Sequence, residues 1–136
     1  MKTAILYRSM TGHSKKIARA IAKAIETEPL NVKKKPPLPE NIDLVFIIGG
    51  IYSGKSLPEM TNYVKALKPE NVAKAVLITS SMMDKTGQDE VRQILTDNGI
   101  EVLDEYRCCG NFLFLKMGHP NKKEINGAVE FARGFL

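Results

Sequence analysis

The sequence predicts an α/β protein with a doubly wound, five-stranded parallel sheet in the order 2-1-3-4-5 and helices on both faces. One observation behind this prediction is a set of continuous apolar runs, such as residues 43–48 and 75–79, which are typical of strands covered on both faces. The other is that segments with the apolar repeat of an amphipathic helix mostly alternate with these runs. The length of 136 residues suits a single domain, which we assign to residues 1–136.

The apolar runs and helical repeats place nine elements along the chain. We predict strand 2–7, a helix from about residue 14 that Pro29 ends, strand 30–33, strand 43–48, helix 57–68, strand 75–79, helix 87–98, strand 100–109 and a last helix after Pro120. Gly49 and Gly50 are expected to end the third strand, and residues 51–56 are expected to form a loop. In this sheet order, ligands bind outside the carboxyl ends of the first and third strands.

The turn after the first strand, residues 8–14, has the composition of an anion site. Ser9, Thr11 and Ser14 offer hydroxyl donors, and the turn leads directly into a helix N-terminus. Free N–H groups and the positive end of the helix dipole would converge there on one anion. The alternative that this turn leaves open is that Thr11 or Ser14 only caps the helix.

The formal net charge of +5 is concentrated in the first part of the chain. Residues 1–40 hold nine Lys and Arg against three Asp and Glu, a net charge of +6, whereas residues 41–136 hold eleven against twelve. Such a field favours an anionic ligand or partner. The basic residues are not interleaved with aromatic ones, so we expect no nucleic-acid partner.

The sequence also bears on the compartment and on metal sites. No apolar run is long enough to span a bilayer, and the N-terminus enters a strand without the layout of a signal peptide, so we expect a cytoplasmic protein with no membrane partner. Cys108 and Cys109 are adjacent, which excludes a disulfide framework. With only two His residues besides, we expect no metal site.

Residues 49–56, GGIYSGKS, match the phosphate-loop pattern G-x-x-x-x-G-K-[ST] of nucleoside triphosphatases. Three features argue against that function. Ile51 and Tyr52 are bulky where such a loop wraps phosphate closely, Glu101 interrupts the strand that would place a magnesium-binding Asp, and few residues remain for the rest of the domain. A nucleotide hydrolase that uses Gly49–Ser56 is kept as an alternative.

Three segments together resemble the flavodoxin family, in particular its short-chain members. Residues 9–14, SMTGHS, resemble the family's phosphate loop, [ST]-x-T-G-x-[ST], and lie at its expected place after the first strand. Residues 48–55 resemble the loop after the third strand, and residues 109–112 and 118–121 resemble the C-terminal region. The resemblance covers the whole chain, and it implies a flavodoxin-like fold with non-covalently bound FMN.

The resemblance implies that three loops hold FMN. The first loop would wrap the 5′-phosphate with Ser9, Met10, Thr11, Gly12, His13 and Ser14. The second would lie along the isoalloxazine ring with Gly50, Ile51, Tyr52, Ser53 and Gly54, of which Tyr52 would stack on the ring or contact its edge. Ser80, Ser81 and Met82 would close the other side. A peptide near Gly50 or Gly54 would present a carbonyl to the N5–H of the reduced flavin.

The function that the resemblance implies is electron transfer between redox partner proteins, more the role of an electron carrier than of a stand-alone enzyme; if the protein is an enzyme, it is an FMN-dependent oxidoreductase. We expect a monomer or weak dimer. The alternatives are an FMN-dependent NAD(P)H or quinone reductase of the same fold, the nucleotide hydrolase, and a flavin-free interaction domain. The dinucleotide pattern G-x-G-x-x-G is absent. Electron-carrying flavodoxins are strongly acidic whereas this chain is basic, which argues against the usual partners.

Overall fold

The computed structural model describes residues 1–10, 12–52, 54–81, 87–109 and 122–136. Within these ranges the strands are β1 (Thr3–Arg8), β2 (Pro29–Asn31), β3 (Ile42–Tyr52), β4 (Lys55–Ser56), β5 (Val72–Ser81) and β6 (Glu101–Cys109). The helices are α1 (His13–Ile25), α2 (Pro58–Lys65), α3 (Asp89–Asp97) and α4 (Lys122–Arg133), with a short 3₁₀ helix at Val32–Lys34. None of these described helices is both long and apolar enough to cross a membrane.

Five parallel strands form the sheet in the order β2-β1-β3-β5-β6. The remaining strand, β4, lies off this path and pairs antiparallel with the end of β3. Since β4 has only two residues, the predicted five-stranded doubly wound sheet and its order are confirmed. The order reverses between β1 and β3, which lie side by side in the middle of the sheet.

Both faces of the sheet are covered because successive strand residues point to opposite sides. On one face Leu6 and Ile47 pack with Met60 of α2 and Leu95 of α3. On the other face, strand residues pack against α1 and α4. The residues of that second core include Ile5, Phe46, Ile48, Ile17, Ile21, Ala128 and Ala132.

The third strand is longer than predicted. Gly49 and Gly50 do not end it, because they continue the parallel pairing with Thr79 and Ser80 of β5. The strand then runs on to Tyr52 and turns back as β4, so residues 51–56 contain an antiparallel hairpin in place of the predicted loop. β3 therefore pairs with β5 as far as Gly50 and with β4 at Ile51 and Tyr52.

Two predicted boundaries near β2 are also wrong. α1 ends at Ile25, since Glu26 adopts the left-handed conformation with φ 57° and its N–H donates to the carbonyl of Ala22. Pro29 therefore does not end the helix and instead begins β2. The predicted strand 30–33 ends early because the side chain of Asn31 accepts from the N–H of Lys33 at 3.0 Å and starts the 3₁₀ turn.

Candidate cofactor-binding site

The carboxyl ends of β1 and β3 are neighbours, with Arg8 in register with Gly49. The loop after β1 and the hairpin after β3 therefore leave the same edge of the sheet side by side. This edge lies at the switch point of the strand order, where doubly wound sheets bind their ligands. It is the place that the sequence predicted.

The loop after β1 is closed by its own serine. The Oγ atom of Ser9 accepts from the N–H of Gly12 at 2.8 Å, and Gly12 has φ +92°, a conformation that glycine adopts most readily. Gly12 is the N-cap residue of α1, and the cap has no side-chain hydrogen bond. The alternative that Ser14 caps the helix is therefore wrong, since Ser14 lies inside the first turn, and Thr11 is outside the described residues.

Ser14 carries a buried hydroxyl group that is not used by the rest of the described chain. The residue is 1% exposed, and its Oγ atom has no hydrogen-bond partner among the residues that the structure describes. A buried hydroxyl without a partner is unfavourable by about 1–3 kcal/mol. The first-turn N–H groups of α1 add donors because the helix itself offers them no carbonyl. Together these groups fit an anion at this N-terminus.

Tyr52 connects the hairpin to the loop after β1. Its hydroxyl oxygen accepts from the N–H of Met10 at 3.1 Å, and the hydroxyl keeps its own proton for another acceptor. The phenol ring lies directly over Gly50, because a Cβ atom there would be 2.6 Å from the Tyr52 oxygen and 2.8 Å from Cζ. Glycine is therefore required at position 50 by the ring that covers it.

Arg8 also contacts the loop after β1 and links it to α2. Its side chain is 12% exposed, its Nε donates to Oε1 of Glu59 at 3.2 Å, and its Nη1 donates to the carbonyl of Ser9. The pKa of Glu59 lies below its usual value, first because of a hydrogen bond with its own backbone in the first turn of α2, and then through Arg8. The pair links the loop after β1 to α2.

Gln88 anchors to the sheet the segment that precedes α3. Its Nε2 donates to the carbonyls of Ile47 and Ile78 at 3.2 and 3.1 Å, and it is fully buried. A Cβ atom at Gly49 would be 2.9 Å from the Oε1 of Gln88. A side chain at position 49 would therefore displace the amide end of Gln88, which these two hydrogen bonds hold in place.

Glu105 of β6 is the buried acid that holds this anchor. It accepts from the N–H of Gln88 at 2.8 Å and from the hydroxyl of Thr79. Arg92 and Arg107 form ion pairs with it at 3.1 and 3.3 Å. Burial by itself raises the pKa of Glu105, but these hydrogen bonds and charges outweigh burial and hold the pKa below its usual value.

The hairpin does not form the phosphate loop of a nucleoside triphosphatase. In such a loop the backbone N–H groups cradle phosphates and the Lys-Ser pair opens a helix. Here Gly49 and Gly50 pair with β5, while Lys55 and Ser56 lie in β4 and the helix begins only at Pro58. The N–H of Ser56 donates to Glu90 of α3 at 3.2 Å. The nucleotide-hydrolase alternative is therefore contradicted by the backbone geometry.

The structure brings six of the predicted site residues to one edge of the sheet and its adjoining helix N-terminus. These are Ser9, Met10, Gly12, Ser14, Gly50 and Tyr52.

His13 is the first residue of α1, Ile51 is buried in the hairpin, and Gly54 has φ +78° at the exposed turn. Ser80 is buried in β5 opposite Gly50, and Ser81 is the last residue of that strand. Thr11, Ser53 and Met82 lie outside the described residues, as do residues 110–112 and 118–121 of the resemblance.

Three residues of this region were missed by the sequence interpretation, namely Glu59, Gln88 and Glu105, while Arg8 was counted in the basic turn 8–14 without a role of its own. The only available signal was an Arg at the end of an apolar strand and an acid inside another strand. The unpartnered hydroxyl of Ser14 and the left-handed Gly12 nevertheless fit the phosphate of FMN that the resemblance implies. Tyr52 and Gly50 place an aromatic side chain beside it.

Comparisons with known proteins agree with this geometry. The family model described as a flavodoxin domain matches residues 4–118. An uncharacterized protein of Methanocaldococcus jannaschii is 30% identical over 148 residues, which cover 100% of this chain and 99% of that protein. The chain is similar to the structure of Fusobacterium nucleatum flavodoxin bound to flavin mononucleotide, with a TM-score of 0.70, 19% identity and coverage of 100% and 99% of the two chains. A flavodoxin from the domain Archaea gives a TM-score of 0.65 at 13% identity, with 98% of each chain covered.

Proposed function

This chain belongs to the flavodoxin family, and on that basis we propose that it is a small electron carrier that holds FMN non-covalently and passes electrons between redox partner proteins. The 5′-phosphate would be held at the N-terminus of α1, and the flavin ring would be held beside the hairpin formed by the end of β3 and β4. The observation that carries this proposal is the buried Ser14 hydroxyl, which has no partner among the described residues and lies in the first turn of α1, next to the N-cap residue Gly12.

The residues of this chain bind and orient the cofactor. Ser14 would donate its hydroxyl proton to the phosphate and the first-turn N–H groups of α1 would surround it, while Ser9 keeps the loop closed through Gly12. Tyr52 retains a hydroxyl proton that it can donate at the same edge. FMN, when bound, supplies the electron-accepting and electron-donating chemistry, and the protein sets how tightly and in which environment it is held.

The charge of the chain bears on its partners. α1 carries Lys15, Lys16, Arg19 and Lys23 on its exposed face and no acidic residue. This basic helix begins at the phosphate loop, so the field near the flavin is positive. We therefore expect partners that present an acidic surface, and electron transfer to them should slow as ionic strength rises.

The experiment that tests the proposal is the visible spectrum of the purified protein followed by anaerobic reduction. We expect flavin absorption bands, release of FMN on denaturation, and a chemically reduced protein that reduces a one-electron acceptor protein. A colourless protein that cannot be reconstituted with FMN would contradict the proposal and would favour a flavin-free interaction domain. Rapid bleaching of the flavin by NADH or NADPH alone would contradict the carrier role and favour a reductase.

A further inference from the structure

Arg8 brings a partly buried guanidinium to the loop that follows β1. Its Nε donates to Oε1 of Glu59 at 3.2 Å, and its Nη1 donates to the carbonyl oxygen of Ser9. Only 12% of its side chain is exposed. The guanidinium therefore joins the first residue of the loop to α2, and its planar fork allows it to do both at once.

The carbonyl that Arg8 holds belongs to the same peptide unit as the N–H of Met10. In a planar trans peptide the C=O and the N–H point in opposite directions. With the Ser9 carbonyl turned to Arg8, the N–H of Met10 is turned to the other side, where it donates to the hydroxyl of Tyr52 at 3.1 Å. Arg8 thus determines which end of this peptide faces the hairpin.

The direction of this peptide decides whether the loop attracts or repels an anion. An N–H group aimed at the site attracts phosphate, whereas a carbonyl oxygen in the same place repels it. The side chain of Ser9 does not fix the direction, since its Oγ already accepts from the N–H of Gly12 at 2.8 Å. The orientation depends on Arg8 at one end and on Tyr52 at the other.

The contribution of Arg8 is geometric because Glu59 neutralises its charge. The two side chains form an ion pair, so together they add little net charge at the site. Lys15 and Lys16 differ in this respect, since they are exposed cations in the first turn of α1 and act through the net field. If Arg8 acts by orientation, neutralising Glu59 should weaken FMN binding. If Arg8 acts through net charge, the same change should strengthen FMN binding.

We propose that Arg8, held by Glu59, is a positioning residue that keeps the carbonyl oxygen of Ser9 turned away from the phosphate, with the N–H of Met10 on the hairpin side, and makes the site prefer a phosphorylated flavin to the same flavin without phosphate. This inference rests on the proposed FMN function. It adds to the site a residue outside the loop 9–14 and assigns to it the selection between FMN and riboflavin.

The first test titrates flavin-free protein with FMN and with riboflavin, followed by flavin fluorescence. Arg8→Met should weaken FMN binding by about tenfold or more and leave riboflavin within about twofold, since only FMN carries the anion. Arg8→Lys should behave in the same way because a single ammonium group does not replace the fork. Glu59→Gln should also weaken FMN binding, although it makes the protein more positive.

The matched control is Arg133→Met, which removes an exposed arginine that pairs with Glu130 on α4 at 3.0 Å. It makes the same charge change as Arg8→Met and should leave both affinities unchanged. Thermal unfolding establishes that each variant is folded at the temperature of the titration. Equal weakening of FMN and riboflavin by Arg8→Met, or tighter FMN binding by Glu59→Gln, would overturn the inference.

The second test needs no flavin, since it measures hydrogen exchange at the amide of Met10 in the flavin-free protein. Arg8→Met and Glu59→Gln should speed this exchange by about tenfold, because the N–H is released from its fixed direction. Arg133→Met should leave it unchanged. Unchanged exchange in both site variants would overturn the positioning role. A wild-type protein that binds neither flavin would overturn the proposed function and the selectivity, while exchange at Met10 would still decide whether Arg8 orients the peptide.

Discussion

The hydroxyl oxygen of Tyr52 lies 3.1 Å from the backbone nitrogen of Met10 and accepts its hydrogen bond. This contact joins two segments that are 42 residues apart, the loop after β1 and the hairpin after β3. It places the aromatic residue of the candidate site against the loop after β1. The two loops therefore form one surface, and a change in either loop should alter the affinity for a ligand that contacts both.

Tyr52→Phe should weaken FMN binding by about fivefold, which corresponds to one hydrogen bond of about 1 kcal/mol. The ring and its packing on Gly50 remain, while the acceptor for the Met10 N–H and the hydroxyl donor are lost. Titration with FMN measures the effect. The control is Tyr63→Phe, whose lost hydroxyl donates to the carbonyl of Pro37, and equal weakening by both variants would contradict the account.

Ser14→Ala should change stability and FMN binding in opposite directions. The flavin-free protein should gain about 1 kcal/mol in its free energy of unfolding, because an unpartnered buried hydroxyl is removed and alanine favours the helix. FMN binding should weaken by about tenfold, since a hydrogen bond to a charged group is lost. Urea unfolding and FMN titration measure the two effects.

Ser56→Ala is the matched control for the FMN titration. Ser56 also has a buried hydroxyl without a partner among the described residues, but it lies in β4 and is not assigned to the phosphate. Its substitution should leave FMN affinity unchanged. Loss of stability in Ser14→Ala together with unaltered FMN affinity would show that the Ser14 hydroxyl has a role within the fold alone.

Gly50→Ala should lower the free energy of unfolding by about 1–3 kcal/mol, because the new Cβ overlaps the ring of Tyr52 at 2.6–2.9 Å. A double-mutant cycle with Tyr52→Ala isolates this overlap. Once the ring is absent, the same alanine should cost much less. If Gly50→Ala destabilises the protein equally in both backgrounds, the requirement for glycine has another cause.

Glu105→Gln should lower the free energy of unfolding by about 2 kcal/mol near neutral pH, since two buried donors and two arginines lose their carboxylate. The pKa of Glu105 is lowered in the folded protein, so its stabilising effect is present above the usual value of 4.5 and is lost as the pH falls through the folded pKa. The difference between wild type and variant should therefore shrink in acid. Urea unfolding over a pH series measures it.

Glu130→Gln serves as the control for that series, because Glu130 is 71% exposed and its ion pair with Arg133 lies on the surface of α4. Its effect should be small at every pH. A difference between wild type and Glu105→Gln that stays constant into acid would contradict the assignment of a charged, hydrogen-bonded carboxylate.

Much of the sheet could be predicted because buried parallel strands appear as continuous apolar runs. Gly49 and Gly50 led to an error, since glycine inside a strand resembles a strand end. The small residues at these positions are explained by tertiary contacts, because Gln88 packs on Gly49 and Tyr52 packs on Gly50. Neither neighbour can be identified from the local sequence, so the length of β3 and the hairpin could not be predicted.

The candidate site also has a part that could be predicted from the sequence and a part that could not. The loop after β1 could be predicted because its serines, glycine and helix start are consecutive in the sequence. Arg8 and Glu59 are 51 residues apart, and the anchor of Gln88 on Glu105 joins α3 to β6. Pairs of this kind depend on the packing of separate elements, which the pattern of one chain does not reveal.

Whether residues at the start of α1 bind the phosphate of FMN is tested by the ratio of the dissociation constants of the wild-type protein for riboflavin and FMN. Titration of the flavin-free protein, followed by flavin fluorescence, gives both values. FMN should bind at least about 100-fold more tightly, since a buried dianion with several charge-assisted hydrogen bonds contributes about 3 kcal/mol or more. Equal affinity for the two flavins, or binding of neither, would contradict it.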